Sequence, residues 1–126
     1  MAGVGLANSS RVYKVEPKNM VAMVEAAVAK MGMTVESSKD GVIQTSWKEG
    51  YDGNVHMAMR QWQERTRFRA VVIPDVNDPV HASRVEVADE SQERSNHRAA
   101  WENNAQIRRP ERAQELIREI DAIAAK

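Results

Sequence analysis

Arg65-Thr66-Arg67-Phe68-Arg69-Ala70-Val71-Val72-Ile73 is the stretch that decides the fold. Its residues alternate: Phe68, Ala70 and Val72 point one way, and Arg67, Arg69, Val71 and Ile73 the other, the period-two pattern of a strand with one buried face. Pro74-Asp75-Val76-Asn77-Asp78-Pro79 breaks the run. A second run, 83–88, follows within antiparallel reach. Val85 and Val87 then join Phe68 and Val72 in the core, while Arg84 and Glu86 share the side of Arg67 and Arg69.

Working outward toward the N-terminus, Gly41-Val42-Ile43-Gln44-Thr45-Ser46-Trp47-Lys48 reads as another strand. It pairs with 33–37 through a turn at Ser38-Lys39-Asp40-Gly41, where Asp-Gly supplies the positive φ of a short hairpin connection. Ile43, Thr45 and Trp47 share a face, and Ile43 and Trp47 are expected to pack under a helix. That helix is read over 17–31: Pro17 suits the first helical position, Met20, Val24, Ala27, Val28 and Met31 recur at helical spacing, and Gly32 ends it. Residues 11–16 read as a short first strand.

Between these runs, 49–54 is a loop by composition, and 55–63 is read as an extended segment or a short helical turn. Toward the C-terminus, 91–104 is polar and fits loop, strand extension or a short helix around Trp101. Pro110 opens a closing helix over 110–124, with Ala113, Leu116, Ile117, Ile120, Ile123 and Ala124 as its apolar stripe. Trp101, like Trp47, is expected to pack beneath the helices.

Each element has one apolar side to hide. The fold expected is therefore α+β: an antiparallel sheet of about four to six strands, with the N-terminal and C-terminal helices packed on one face. Residues 1–10 read as a flexible leader and 11–126 as a single domain. The first residues lack the basic start of a signal peptide and fit a trimmed targeting segment or a cytosolic start equally well.

The 126 residues carry 18 basic and 18 acidic side chains, so overall charge gives no long-range attraction to a polyanion. No cysteine is present, which excludes disulfides, zinc thiolates and a thiol nucleophile. No apolar run is long enough for a membrane-spanning segment.

Arg60, Arg65, Arg67 and Arg69 beside Trp62 and Phe68 suggest nucleic-acid binding. Phe68 points away from the arginines, however, and Arg67 and Arg69 are expected to pair across the sheet with Glu86. Nucleic acid is therefore not the partner expected. His56, His81 and His97 lack metal-ligand spacing. The Asp75 to Pro79 loop has proline and valine where a calcium loop needs a ligand and a glycine. No serine sits in a nucleophile elbow, and no glycine-rich phosphate loop is present, so neither catalysis nor a cofactor is expected. The remaining candidates for contact are apolar: Tyr51, Met57, Met59 and Trp62, in and beside the central loop.

The strand 41–47, the arginine-rich Glu64-Arg65-Thr66-Arg67-Phe68-Arg69 and Ser83-Arg84-Val85-Glu86-Val87 together resemble the C-terminal domains of the outer-membrane assembly lipoprotein BamC. Such domains follow a first strand with a helix and close with a second helix on an antiparallel sheet, the helix-grip arrangement. The resemblance covers most of residues 12–124 and carries over no functional residue. It implies a noncatalytic binding or scaffold domain of a Gram-negative envelope lipoprotein, at the periplasm or the outer-membrane periphery, with a protein partner. An alternative is a carrier of a small apolar ligand, with its pocket between sheet and C-terminal helix.

Overall fold

A computed structural model describes residues 9–49, 55–57, 60–94, 99–103 and 110–125, with backbone alone at 55–57, 60–62, 103, 110 and 111. The elements run β1 (Ser9–Tyr13), α1 (Pro17–Lys30), β2 (Val35–Lys39), β3 (Val42–Thr45), β4 (Lys48–Glu49), β5 (Val55–Met57), β6 (Arg60–Pro74), β7 (Ser83–Arg94), β8 (Glu102–Asn103) and α2 (Pro110–Ala124). The architecture is α+β, as the alternation implies. Five strands lie in the order β1-β7-β6-β3-β2, with β4 and β5 also pairing with β6, and β8 with β7. Every pair is antiparallel.

β6 and β7 form the spine, in unbroken register from Gln63↔Arg94 to Pro74↔Ser83. β1 begins at Ser9, inside the expected leader, because Ser9 and Ser10 pair with Val87 and Glu86. Of the stretch 55–63, residues 55–57 and 60–63 are extended rather than helical: Val55 pairs with Trp62 and Met57 with Arg60.

Both helices contact each other and cover the same side of the sheet. α1 buries Met20, Val24, Ala27 and Val28, and α2 buries Ala113, Leu116, Ile117 and Ile120. From the sheet rise Ile43, Phe68, Ala70, Val72, Val85 and Val87. Complete burial of a side chain such as Phe68 contributes about 2–3 kcal/mol relative to leaving it in water. α1 ends where Gly32 takes φ 78°, and Lys48 Nζ donates to the Met31 carbonyl (3.0 Å), satisfying one terminal acceptor. β1 is fastened to α2 by Asp121, whose carboxylate accepts from the Tyr13 hydroxyl (2.7 Å) and from Arg11.

The β2–β3 turn is tighter than the four residues first assigned to it. Lys39 pairs directly with Val42, leaving Asp40 (φ 53°) and Gly41 (φ 80°) as a two-residue turn. Two positive φ values in succession match the right-handed twist of the strands that they join. Among the described residues no helix is long and apolar enough to cross a membrane.

Candidate functional site

The helices leave one side of the sheet open, and its chemistry begins with a slip in register between β3 and β4. Gln44 pairs with Arg69 and Lys48 with Thr66, so four steps along one strand meet three along the other. One extra residue is a β-bulge, and it reverses which side chains face the helices. Thr45 stabilises the break. Its buried hydroxyl accepts from the Phe68 amide (2.9 Å) and donates to the Ser46 carbonyl (3.0 Å), supplying the partner that the interrupted ladder denies Phe68. Ser46 N in turn donates to Thr34 O at 2.8 Å.

Beyond the bulge Lys48 turns toward the helices, while Trp47 and Glu49 turn to the open side. Trp47 therefore does not lie beneath a helix, contrary to the plain alternation of 43, 45 and 47. Its ring centroid lies 4.3 Å from the Arg65 guanidinium carbon and 4.4 Å from that of Arg67. Trp101, which immediately precedes β8, is also on this side, 4.5 Å from Arg65 and 4.2 Å from Arg94. The five side chains make one continuous stack: Arg67, Trp47, Arg65, Trp101, Arg94. Each such contact contributes roughly 0.5–2 kcal/mol, more where water is excluded.

Hydrogen bonds fix the guanidinium planes. Arg65 Nε and Nη2 donate to Gln92 Oε1 (2.8 and 2.5 Å), and Arg94 Nε donates to Gln63 Oε1 (2.5 Å). Arg67 pairs with Glu90 (2.9 Å), not with Glu86, because the register sets Glu90 opposite Arg67 and Val71 opposite Glu86. Glu86 sits beside Arg84 instead (3.6 Å). Glu49 reaches Arg94 at 3.7 Å. Burial holds the Arg65 guanidinium below its ordinary pKa; Arg67 and Arg94 push the same way, and Glu49 and Glu90 oppose them. Lys39, Arg65, Arg67, Arg69, Arg84 and Arg94 belong to this side by register, against Glu49, Glu86 and Glu90. A chain of zero net charge thus carries a basic face.

A different arginine lies within the core. Arg112, 1% exposed, projects from the first turn of α2 onto the helix-facing side of β6 and β7. It donates to Glu64, to Thr66 Oγ1 and to Ser91 Oγ (3.3 Å), and the two hydroxyls lie 3.0 Å apart. These contacts bind α2 to the spine of the sheet.

Of the residues singled out from sequence, Tyr51 and Met59 lie outside the described residues, as do the side chains of Met57 and Trp62, whose backbones belong to β5 and β6. His81 is a turn residue: Asp78 Oδ1 lies 3.1 Å from its Nδ1 and 3.3 Å from its amide. Where a carrier needs a pocket between sheet and α2, the space holds Phe68, Val85, Val87, Leu116, Ile117 and Ile120, each 5% exposed or less. The molecule also has open grooves. One of about 460 Å³ is lined by Met31, Lys48, Glu115, Arg118 and Glu119, and one of about 400 Å³ includes Ser9, Ser10 and Arg11.

Comparison with known protein families and with curated proteins finds no match to this chain.

Proposed function

We propose that this chain is a noncatalytic binding domain whose contact face is the open side of the sheet, and that it holds a protein partner in a bacterial envelope assembly. The observation that carries the reading is the stack of Trp47, Trp101 and three arginines on a face that neither helix covers. Indole and guanidinium groups are the side chains most enriched where protein surfaces make their strongest contacts, because they combine broad apolar area with directional donors. The resemblance of the strand motifs to BamC domains supports the envelope setting. The filled space beneath α2 favours a surface contact over carriage of an apolar ligand.

Photo-crosslinking residues placed singly at Gln44 and Ala88 on the open face, and at Gln114 and Ala122 on the helices, test this in cells of the source organism. Adducts are expected from positions 44 and 88. Adducts from 114 and 122 alone, or from none of the four, remove the reading. Recovery of the full-length gene product in the cytosolic fraction removes its envelope setting.

A further inference from the structure

Resting on that reading, we propose that the occupant of the open face is an extended acidic segment of the partner, its carboxylates seated along Arg65, Arg67 and Arg69. These three alternate along β6 on one side of the sheet, which spaces them about 6.7 Å apart. Alternate side chains of an extended peptide repeat at the same interval. The match is therefore between two strands of like pitch, one basic and one acidic.

Two of the three guanidiniums are already ordered by indole contact, Arg65 against both tryptophans and Arg67 against Trp47. A planar donor held in place loses less freedom when a carboxylate arrives. The Glu90 carboxylate on Arg67 Nε, itself 47% exposed, is one such seat filled from within the chain. Glu49, 65% exposed against Arg94, occupies the far end of the stack. A tethered carboxylate competes with an incoming one, so these two glutamates restrain binding.

The same geometry argues against the other polyanion. Single-stranded nucleic acid binds by laying bases on free aromatic faces, whereas Trp47 and Trp101 each have two guanidiniums at the ring. An apolar partner is equally poorly served. Among the described large hydrophobics on this side, Val12 is the exposed one, at 49% and on the edge strand.

The test is fluorescence anisotropy of the full chain with a labelled alternating Glu–Thr decapeptide, beside a Gln–Thr decapeptide and an oligothymidine of the same length. The acidic peptide is expected to bind saturably, weakening about tenfold or more between roughly 50 and 300 mM salt. Arg69→Gln, at an exposed position outside the stack, is expected to weaken binding about threefold to tenfold. The double change Glu49→Gln with Glu90→Gln is expected to strengthen it at least about threefold, a gain that a purely structural stack does not produce. Equal binding of the Gln–Thr peptide, absence of saturation, or tighter binding of oligothymidine overturns the proposal. If adducts still form at positions 44 and 88 while the acidic peptide fails, only the acidic occupant is lost. If both fail, the binding-face reading goes with it.

Discussion

Arg112 stands one turn before Leu116 and two before Ile120, so it lies on the apolar stripe of α2 rather than beside it. A buried guanidinium is held by its partners, and removing one side of such a pair leaves an uncompensated charge. Arg112→Ala is accordingly expected to cost about 3–5 kcal/mol in urea unfolding, whereas the double change Arg112→Met with Glu64→Leu stays near wild type. Equal losses for both variants would contradict an ionic role. Tyr13 gives a second expectation. Burial, the hydrogen bond to Asp121 and the charge of that carboxylate all push its phenol above the ordinary tyrosine value, against the opposing charge of Arg11. The folded chain then keeps a proton that the unfolded chain loses above about pH 10, so this contribution is complete below that pH and disappears as pH rises beyond it. The stability gap between wild type and Tyr13→Phe is expected to narrow between about pH 9 and 12; a constant gap would refute the coupling. Sequence alone marks Arg112 only as a charge on an apolar stripe. Its partners lie 21 to 48 residues away, across contacts that no local pattern records.

At the scale of elements, the two-residue turn and the bulge are the sharpest tests. A Cβ at Gly41 would stand 2.6 Å from the Val72 carbonyl oxygen, at a φ that side chains rarely adopt. Gly41→Ala is expected to cost roughly 1–3 kcal/mol, read as a lower urea midpoint, while Asp40→Gly is tolerated. The helices, the β6–β7 ribbon and the Asp-Gly turn were legible from period and turn chemistry, because each is determined by neighbours in the chain. The fate of Trp47 was not. The letters from Ile43 to Trp47 keep a strand's alternation, yet the Thr45 hydroxyl takes the Phe68 amide and shifts the count by one. A hydrogen bond across 23 residues thus moved an indole from the core side to the open face. The alternation of letters alone therefore does not place Trp47 beside Arg65 and Arg67.

For the whole molecule, apolar side chains meet between helices and sheet, while basic groups collect on the far surface. α2 closes the core over Phe68, Val85 and Val87. A chain ending at residue 109 is therefore expected not to fold: far-ultraviolet dichroism without a cooperative thermal transition is the anticipated result, and a sharp transition would show that the sheet stands by itself. Sheet order was the least readable feature at this scale, since nothing near Ser9 specifies Val87 as its neighbour. That adjacency governs how the protein is made. Arg11 and Tyr13 are made well before their partner Asp121, which lies 110 and 108 positions later. β1 can pair only once β7, 70 to 78 positions further on, has been made, and its side-chain ties to α2 form later still. Until then β1 is a bare strand that a chaperone could shield.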